Sequence, residues 1–244
     1  MIDWHSHILP GVDDGATDMR QSLAMAASLA AAGFTTVYCT PHLIRGCYDA
    51  GNDQVLQGVA ALQECLNSSG IPLTLLAGRE YCLDEYLLTS LEDALPLGDS
   101  QLILVEIPPR MSGEMVRRLL YDTVRCGFTP VIAHPERCHL LEPSVRPPNS
   151  AGILHAISGL FAGGRRGRRQ EPEEQVTSTG NLLLDYLRDL GCSFQGNLGS
   201  FNGFYGGQVK AVADALRRLG VYDRYGSDLH APEQAHVIFG NEER

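Results

Sequence analysis

Two hydrophobic periods alternate along the chain, and their alternation predicts a mixed α/β fold. Residues 2–7 (Ile-Asp-Trp-His-Ser-His) alternate apolar and polar side chains, which is typical of a half-buried strand that ends before Pro10. From 17 to 33, apolar residues recur at helical spacing, which predicts a helix. The β-branched run at 34–40 then predicts a buried strand that ends at Pro41.

This order of strand and helix repeats along the rest of the chain. Helices are predicted at 53–68, 83–91, 113–126, 182–190 and 208–219, and strands at 73–77, 101–106, 129–133 and 192–197, with 224–226 leading into Ser-Asp-Leu-His at 227–230. Strands that alternate with helices run parallel, because each return to the same end of a sheet requires a crossover. A length of 244 residues suits two small domains or one barrel-sized domain, and barrels commonly have about this length.

Polar side chains with metal-ligand chemistry stand at or just past the C-terminal ends of most predicted strands. They are His5, His7, His42, Glu80, Glu106, His134, Asp228 and His230, joined by Asp13 and Asp14 on the Gly-rich turn after the first strand. In a β/α barrel these strand ends share one mouth. One zinc ion takes only four ligands, so the surplus predicts two or three ions with bridging carboxylates. Imidazole and carboxylate without thiolate suit manganese, iron or zinc.

A simpler interpretation of the first strand stands beside this one. His5 and His7 lie two residues apart and share a face of the strand, where both could simply meet solvent. The acidic turn that follows them and the matching residues at later strand ends favour the metal site.

Charge, cysteines and hydropathy restrict the class of protein further. The formal net charge of −10 argues against general nucleic-acid binding, which needs a basic face. The seven cysteines are odd in number and scattered without a CxxC pair, which favours reduced thiols and a cytoplasmic protein. No signal peptide is readable, and no apolar run approaches the roughly 20 residues that cross a bilayer, so we expect no membrane insertion.

One segment interrupts the order of strands and helices. Between about 143 and 177 the chain carries Pro143, Pro147 and Pro148, the run Gly-Gly-Arg-Arg-Gly-Arg-Arg at 163–169, and then acidic residues. This composition predicts an inserted flexible loop with a short helix at 153–161. We interpret the arginine run as a solvated stretch rather than an anion-binding arm, because the acidic residues beside it partly cancel its charge.

The order of the motifs resembles that of a known superfamily. Its elements are His-x-His and Asp-Gly in the first fifteen residues, Pro-His at 41–42, Gly-Arg-Glu at 78–80, Glu106, His-Pro-Glu-Arg at 134–137 and Ser-Asp-Leu-His at 227–230. This set is similar to the PHP (polymerase and histidinol phosphatase) metal-dependent phosphoesterases. The stretches 5–15 and 134–137 resemble the bacterial CpsB/CapC/YwqE branch, manganese-dependent protein-tyrosine phosphatases of capsule and exopolysaccharide loci. The resemblance covers nearly the whole chain apart from the insertion.

The resemblance implies a distorted (β/α)7 TIM-like barrel, the PHP fold, over 1–244 as a single domain. It implies two to three divalent ions, manganese first and iron or zinc as alternatives, with the ligands His5, His7, Asp14, His42, Glu80, Glu106, His134, Asp228 and His230. Asp14 is preferred to Asp13 because the superfamily ligand directly precedes the glycine. Arg137 would bind substrate phosphate as a guanidinium fork, with a structural ion pair to Glu136 or another carboxylate as the alternative.

Two features depart from the branch. Ala-Pro-Glu-Gln follows His230, where relatives usually carry an Arg-Pro-Pro segment and a terminal helix, so one phosphate contact and one covering helix cannot be carried over. The insertion lies in a connection that is short in relatives. Gln195 and Asn197 resemble a rim position of the branch, with no role assigned to them.

A second phosphatase chemistry is suggested by Cys39 and Arg45, which match the Cys-x5-Arg spacing of cysteine-based tyrosine phosphatases. That chemistry needs a loop whose N–H groups cradle phosphate around a low-pKa thiolate, ahead of a helix. Cys39 lies within a predicted strand, and Pro41 removes one N–H from the loop. The match is therefore rejected.

The motifs and the resemblance together predict a metal-dependent phosphomonoester hydrolase. The expected substrate is phosphotyrosine on the cytoplasmic tail of a bacterial tyrosine kinase, in the regulation of capsule or exopolysaccharide synthesis. Catalysis is assigned to Arg137, with His42 or His230 as proton donor to the leaving oxygen. Two alternatives remain, a small-molecule phosphatase of the histidinol-phosphatase type and a non-catalytic metal-binding barrel.

Overall fold

The computed structural model describes residues 1–144 and 178–240. Its strands are β1 (Ile2–Ser6), β2 (Thr36–Cys39), β3 (His42–Leu43), β4 (Thr74–Ala77), β5 (Glu80–Cys82), β6 (Leu102–Glu106), β7 (Thr129–Ala133), β8 (Ser193–Asn197) and β9 (Arg224–Gly226). Its helices are α1 (Met19–Ala31), α2 (Asn52–Ser69), α3 (Leu87–Ser90), α4 (Gly113–Arg125), α5 (Leu182–Asp189), α6 (Leu198–Phe201), α7 (Gly207–Arg218) and α8 (Ala235–Phe239). Most of the predicted insertion, including the helix predicted at 153–161, lies outside the described residues.

The strands form two sheets in which every pair is parallel, as the order of strands and helices predicts. One sheet has the order β1-β2-β4, and the other has the order β3-β5-β6-β7-β8-β9. Two hydrogen bonds carry the pairing past the breaks between the sheets. Gly78 N–H donates to Cys39 O at 3.0 Å, and Glu80 N–H donates to Pro41 O at 3.1 Å.

The first and last strands lie side by side although they belong to different sheets. Ser6 forms a parallel bridge with Leu229. His7 N–H donates to Leu229 O at 3.0 Å, and Asp228 N–H donates to His5 O at 2.7 Å. These bonds bring the C-terminal ends of β1 and β9 together.

Three apolar clusters hold the strands and helices in place. The largest packs α4, α5 and α7 against β6, β7 and β8, with Leu120 fully buried in it. The second packs α1 and α2 against β2 and β4, around Leu29 and Leu62. In the third, Trp4 stacks on Tyr38 with 4.7 Å between ring centroids. Each fully buried leucine stabilises the fold by roughly 1.5–3 kcal/mol relative to exposure. The described residues form one mixed α/β domain with parallel sheets.

Two sequence predictions about element length were wrong. The strand predicted at 34–40 ends at Cys39, and a separate short strand, β3, begins after Pro41, which has no N–H to donate to a ladder. The helix predicted at 83–91 is reduced to α3 and a 3₁₀ turn at Leu91–Asp93. Its start is delayed because Asp84 Oδ1 accepts the Tyr86 N–H at 2.8 Å, an alternative to the helical hydrogen bond.

No helix in the described ranges is long and apolar enough to cross a membrane.

Candidate metal centre

The polar residues at the strand ends lie together at one edge of the sheets. His5 lies near the C-terminal end of β1 and Glu106 at that of β6, whereas His42 and Glu80 begin the short strands β3 and β5 that continue past the ends of β2 and β4. His7, His134, Asp228 and His230 follow β1, β7 and β9. Because the strands are parallel, these ends share one edge. Each of the nine predicted ligands, Asp14 included, has a nitrogen or oxygen atom within 3.8 Å of such an atom of another.

Glu80 Oε2 lies at the centre of this cluster. It is 3.1 Å from His5 Nε2, 3.3 Å from His7 Nε2 and 3.0 Å from His42 Nδ1. The atom is buried and accepts no hydrogen bond of regular geometry within the described ranges. Burial alone would raise the pKa of Glu80, but the charge of His5 and the hydrogen bond from His134 hold that pKa well below its ordinary value. The centre of the cluster is therefore an ionised carboxylate surrounded by imidazole nitrogens.

His5 and His7 turn their Nε2 atoms toward each other at 3.0 Å. The opposite nitrogens have acceptors, since His5 Nδ1 faces Gln195 Oε1 at 2.9 Å and His7 Nδ1 faces Asp13 Oδ2 at 2.7 Å. These acceptors place the proton of each neutral imidazole on Nδ1, so the Nε2 lone pairs face each other and Glu80. Two lone pairs and a carboxylate oxygen repel one another at these distances without a cation. The residues therefore fit a divalent metal ion.

Protons and a metal ion compete for these same nitrogens. Burial alone would lower the pKa of His5, but the carboxylates of Glu80 and Asp228 raise it to about 9. For His7, burial is likewise outweighed by hydrogen bonds with Asp13, Asp228 and Glu80, which raise its pKa well above the ordinary value. A metal ion binds only the unprotonated nitrogen, so metal binding at this centre releases protons.

Two further groups of candidate ligand atoms adjoin the first. Among the described residues, three sets have all their ligand atoms within 4.8 Å of one another. They are His5, His7 and Glu80; His7, Asp14, His42 and His230; and His42, Glu80 and Glu106. Each set shares at least one residue with another. Overlapping sets with a shared carboxylate are the arrangement expected for more than one ion.

Asp228 divides its two oxygens between the cluster and the surrounding protein. Oδ1 lies 3.3 Å from the Nε2 atoms of both histidines of the His-x-His motif. Oδ2 accepts hydrogen bonds from Arg137 Nη1 at 2.9 Å, Asn197 Nδ2 at 2.7 Å and Tyr205 OH at 3.2 Å. Because these donors saturate Oδ2, Oδ1 is the atom available to a metal ion.

Backbone strain is concentrated at this centre. His134 has φ 29° and Asp228 has φ 51°, and they are the non-glycine residues with positive φ in the described parts of the chain. Such conformations cost on the order of 1–3 kcal/mol each and persist where surrounding contacts hold them. Here His134 Nε2 is held by Glu80 Oε1 at 3.2 Å, and Asp228 is held by the three donors on its Oδ2.

Arg137 lies beside the cluster with its side chain 33% exposed. The carboxylate paired with it is Asp228, a predicted metal ligand, and not Glu136. Glu136 instead accepts the Asn197 N–H and the Tyr222 hydroxyl, both at 2.9 Å. One nitrogen of the guanidinium therefore donates to Asp228. The rest of the group is accessible to a ligand from the side of the cluster that faces solvent, which we call the open side.

Asp13 was predicted on the acidic turn of the metal site, with Asp14 preferred as the ligand, and in the structure it orients other residues of the cluster. Its Oδ2 contacts His7 Nδ1 and accepts the His42 N–H at 3.0 Å, and its Oδ1 accepts the Gly15 N–H at 3.0 Å. Burial alone would raise the pKa of Asp13, but these partners lower it to about 2. A Cβ on Gly15 would lie 2.0 Å from His7 O, so only glycine lets the turn approach the strand this closely.

Other residues that support the cluster were also missed or left without a role. Asp3 accepts the Ser227 N–H at 2.7 Å, the Ser227 hydroxyl at 2.6 Å and the His5 N–H at 3.2 Å, and thereby ties β1 to the segment after β9. Gln195 orients His5, and Tyr205 contacts Asp228. Asp3 and Tyr205 follow no spacing rule and gave no signal in the sequence, whereas Gln195 was noted only through its resemblance to a rim position of the branch.

The two predicted proton donors occupy ligand positions. His42 has Nδ1 at 3.0 Å from Glu80 Oε2 and Nε2 at 3.6 Å from Asp14 Oδ1. His230 has Nδ1 at 2.9 Å from Asp228 O and Nε2 at 3.6 Å from Asp14 Oδ1. Their role in proton transfer stays a prediction.

Cys39 lies outside this chemistry, as expected. It is fully buried in β2, and burial raises the pKa of its thiol far above the ordinary range. A nucleophilic cysteine requires the opposite shift and an exposed sulfur.

Comparisons with known proteins identify relatives of this chain. A family model described as capsular polysaccharide synthesis, CpsB/CapC, matches residues 1–149. Tyrosine-protein phosphatase YwqE of Bacillus subtilis (strain 168) is 31% identical over 232 residues, which cover 94% of this chain and 77% of YwqE. Tyrosine-protein phosphatase CpsB of Streptococcus pneumoniae is 31% identical over 144 residues, which cover 58% of this chain and 59% of CpsB.

A solved structure shares the fold. It comes from a study of YwqE from Bacillus subtilis and CpsB from Streptococcus pneumoniae, described as unique metal-dependent tyrosine phosphatases, and it matches with a TM-score of 0.73 and 29% identity over 99% of this chain and 87% of that chain. The family match at 1–149 includes the predicted ligands His5, His7, Asp14, His42, Glu80, Glu106 and His134. This chain therefore belongs to the CpsB/CapC family.

Proposed function

We propose that this chain is a metal-dependent phosphomonoester hydrolase that removes phosphate from phosphotyrosine in proteins. The observation that carries the proposal is the buried carboxylate oxygen Glu80 Oε2, which has three imidazole nitrogens within 3.3 Å and lies in one cluster with Asp228, the partner of Arg137. The relatives YwqE and CpsB are tyrosine-protein phosphatases by name, which supports this substrate class.

The cluster would hold two to three divalent ions. Its proposed ligands are His5, His7, Asp14, His42, Glu80, Glu106, His134, Asp228 and His230, and the three overlapping sets of ligand atoms support more than one ion. Manganese suits these imidazole and carboxylate donors, with iron or zinc as alternatives. When bound, the ions would supply positive charge for the phosphate oxygens and a nucleophile at neutral pH.

The protein's own groups have separate tasks in this proposal. Arg137 binds a phosphate oxygen through the donors that Asp228 leaves free, and its fixed charge offsets the charge that develops on phosphate. Asp13 and Gln195 hold the imidazoles of His7 and His5 in the required tautomer.

A leaving tyrosinate oxygen also requires a proton. His42 and His230 have side chains 12% and 21% exposed, so both reach the open side of the cluster. Either imidazole would protonate the leaving group, provided that the nitrogen concerned is not bound to a metal ion.

The fold proposed around this site is a distorted seven-stranded β/α barrel. If β2 and β3 count as one interrupted strand, and β4 and β5 as another, the described chain has seven strand runs. The parallel bridge between Ser6 and Leu229 supports closure between the first and last runs. The cluster then lies at the C-terminal mouth, where β/α barrels carry their chemistry.

We further propose a biological setting. The substrate would be the phosphorylated tail of a bacterial tyrosine kinase in the cytoplasm, in the regulation of capsule or exopolysaccharide synthesis. The family description supports the polysaccharide setting. All seven cysteines are unpaired, which is typical of a reducing compartment.

The proposal is tested with purified chain stripped of metal and reloaded with manganese, iron or zinc. The substrates are a phosphotyrosine peptide, the same peptide with phosphoserine, and histidinol phosphate. We expect the phosphotyrosine peptide to be hydrolysed fastest, the chelator to abolish turnover, and manganese to restore it. Alkylation of thiols, with a Cys39→Ser variant as control, should leave activity largely intact.

Each alternative gives a different result in this experiment. Preference for histidinol phosphate would support the small-molecule phosphatase. Bound metal without turnover of any substrate would support the non-catalytic barrel. Inactivation by alkylation together with resistance to chelators would contradict the metal mechanism.

A further inference from the structure

Tyr205 touches both the guanidinium and the carboxylate that border the open side of the cluster. Its ring centroid lies 4.6 Å from Arg137 Cζ, with the cation over the ring. Its hydroxyl lies 3.2 Å from Asp228 Oδ2 and 3.2 Å from Asn197 Nδ2, which donates to it. One side chain therefore contacts the face of Arg137 and the oxygen to which Arg137 is bound.

The turn that carries Tyr205 is built to hold this position. Gly203 and Gly206 have φ of 81° and 93°, a conformation that favours glycine, and Gly206 N–H donates to Gly203 O at 2.9 Å. Phe204 packs edge-on against the ring of Tyr205, with 4.9 Å between centroids and 88° between planes. The ring of Tyr205 is therefore held by its neighbour Phe204 within the turn and by Arg137 over its face.

Core packing does not account for this placement. Tyr205 is half-buried and belongs to none of the three apolar clusters formed by the described residues. Its hydrogen bonds go to Asn197 and Asp228, which border the cluster. The contacts of Tyr205 thus point to the ligand-binding side of the molecule.

We propose that Tyr205 is a positioning residue that holds Arg137 in the orientation in which its guanidinium binds substrate phosphate. The inference rests on the proposed function, because it takes Arg137 as the phosphate contact. A long arginine side chain loses conformational entropy when a ligand fixes it, and stacking on a ring before the ligand arrives reduces that loss. The hydroxyl adds a second restraint by holding Asp228, the partner of Arg137.

This role predicts that loss of Tyr205 weakens phosphate binding and leaves metal binding unchanged. Tyr205 contacts Oδ2 of Asp228, whereas Oδ1 faces the metal cluster, and Asn197 still donates to Oδ2 when Tyr205 is removed. Loss of Tyr205 should therefore leave the metal ligand in place. Since Arg137 would bind phosphate in both the ground state and the transition state, the Michaelis constant should change more than kcat.

The test compares Tyr205→Ala and Tyr205→Phe with the original manganese-loaded chain. Binding of inorganic phosphate is measured by calorimetry, and kcat and KM are measured on a phosphotyrosine peptide. We expect Tyr205→Ala to weaken phosphate binding and to raise KM by about fivefold to tenfold, as for loss of a partly desolvated cation–π contact. Tyr205→Phe keeps the ring and should recover most of this loss. Metal content should be unchanged in both variants.

A double-mutant cycle decides whether Tyr205 acts through Arg137. In an Arg137→Ala background, Tyr205→Ala should produce no further loss of phosphate binding. The matched control is Tyr186→Ala, because Arg117 lies over the Tyr186 ring at 4.4 Å in a stack formed by α4 and α5. That variant should leave phosphate binding unchanged.

Several outcomes would overturn the inference. Unchanged phosphate binding in Tyr205→Ala would contradict it, as would an equal loss with and without Arg137. Phosphate that fails to bind the original chain would also overturn it, since Arg137 would then contact no phosphate. A chain that binds phosphate but hydrolyses no substrate contradicts the proposed function alone, because the calorimetric comparison still tests Tyr205.

Discussion

Asp13 Oδ2 lies 2.7 Å from His7 Nδ1 and thereby directs the opposite nitrogen of that ring into the cluster. The same carboxylate accepts the N–H groups of His42 and Gly15, so it joins the first strand, the acidic turn and β3. Its neighbour Asp14 has a side chain that is 48% exposed, and Asp14 Oδ1 lies 3.6 Å from His42 Nε2. The two adjacent aspartates therefore differ in their contacts, since Asp13 orients His7 and Asp14, a proposed ligand, faces His42.

The first prediction concerns Asp13→Ala. Without its acceptor, the His7 ring can rotate or change tautomer, and we expect manganese affinity to fall by about tenfold to a hundredfold. Asp13→Asn should lose less of its manganese affinity, because the amide oxygen still accepts a hydrogen bond from His7 Nδ1–H. Calorimetric titration with manganese measures the change. Asp189→Ala, at an exposed aspartate of α5, is the control. Wild-type affinity in Asp13→Ala would mean that another contact fixes the ring.

The second prediction concerns Glu80→Gln, which keeps the shape of the side chain and removes its charge. Glu80 Oε2 is shared by three imidazole nitrogens, so the variant should lose at least one metal ion per chain and most of its activity. Elemental analysis after gel filtration measures the metal content. Glu64→Gln, on the exposed side of α2, should keep both properties. A Glu80→Gln protein with full metal content and normal turnover would remove Glu80 from the centre.

The third prediction concerns pH. Because the carboxylates raise the pKa of His5 from 6.5 to about 9, the metal-free protein carries a proton there at neutral pH. Manganese must displace it, so affinity should rise by about tenfold per pH unit up to that pKa for each proton released. Calorimetry in buffers of different ionisation enthalpy counts the protons. His5→Gln should release one proton fewer, whereas His236→Gln on α8 should not. Affinity independent of pH would contradict this linkage.

The same pKa shift predicts how stability depends on pH without metal. A raised pKa of His5 contributes stability that is fully present below 6.5 and is lost as pH rises through about 9. The chelated protein should therefore melt at a lower temperature as pH increases across this range. Metal-loaded protein should show the opposite trend, because bound manganese stabilises the fold more as its affinity increases. If the melting temperatures of both forms change with pH in the same direction, the competition between proton and metal is refuted.

The members of the cluster could be predicted from the sequence because two simple rules determine where they lie, the alternation of side chains along a strand and the common direction of parallel strands. Alternation of polar and apolar residues places His5 and His7 on one face of a strand, and parallel strands bring Glu80 and Glu106 to the same edge. These rules depend only on the order of residues along each strand. The structure accordingly brings every predicted ligand to one place.

The residues that hold the cluster in place could not be predicted in the same way. Asp13, Gln195 and Tyr205 act through side-chain rotamers and through the path of turns, which spacing along the chain does not determine. Their partners are far away in sequence, as Gln195 is from His5. The partner of Arg137 illustrates the difference, because proximity in sequence suggests Glu136 and the fold supplies Asp228.

The last prediction separates phosphate binding from metal binding at Arg137. Its Nη1 donates to Asp228 Oδ2 at 2.9 Å, and the guanidinium is accessible from the open side. A charge-assisted hydrogen bond is worth about 1.5–3 kcal/mol, so Arg137→Ala should lower kcat/KM by about tenfold to a hundredfold. Arg137→Lys should recover only part of this, because an ammonium keeps the charge and loses the planar fork. Steady-state kinetics on a phosphotyrosine peptide give kcat/KM for both variants.

Metal content distinguishes this effect from damage to the cluster. Asn197 and Tyr205 still donate to Asp228 Oδ2 in Arg137→Ala, so the ligand oxygen Oδ1 should stay in place and the number of bound ions should not change. Arg20→Ala, at an exposed arginine of α1, is the control for loss of a positive charge. If Arg137→Ala keeps wild-type kinetics and only lowers the melting temperature, Arg137 is a structural partner of Asp228. Phosphate would then have to be bound without it, and the metal ions would be its remaining positive partners at this edge of the sheets.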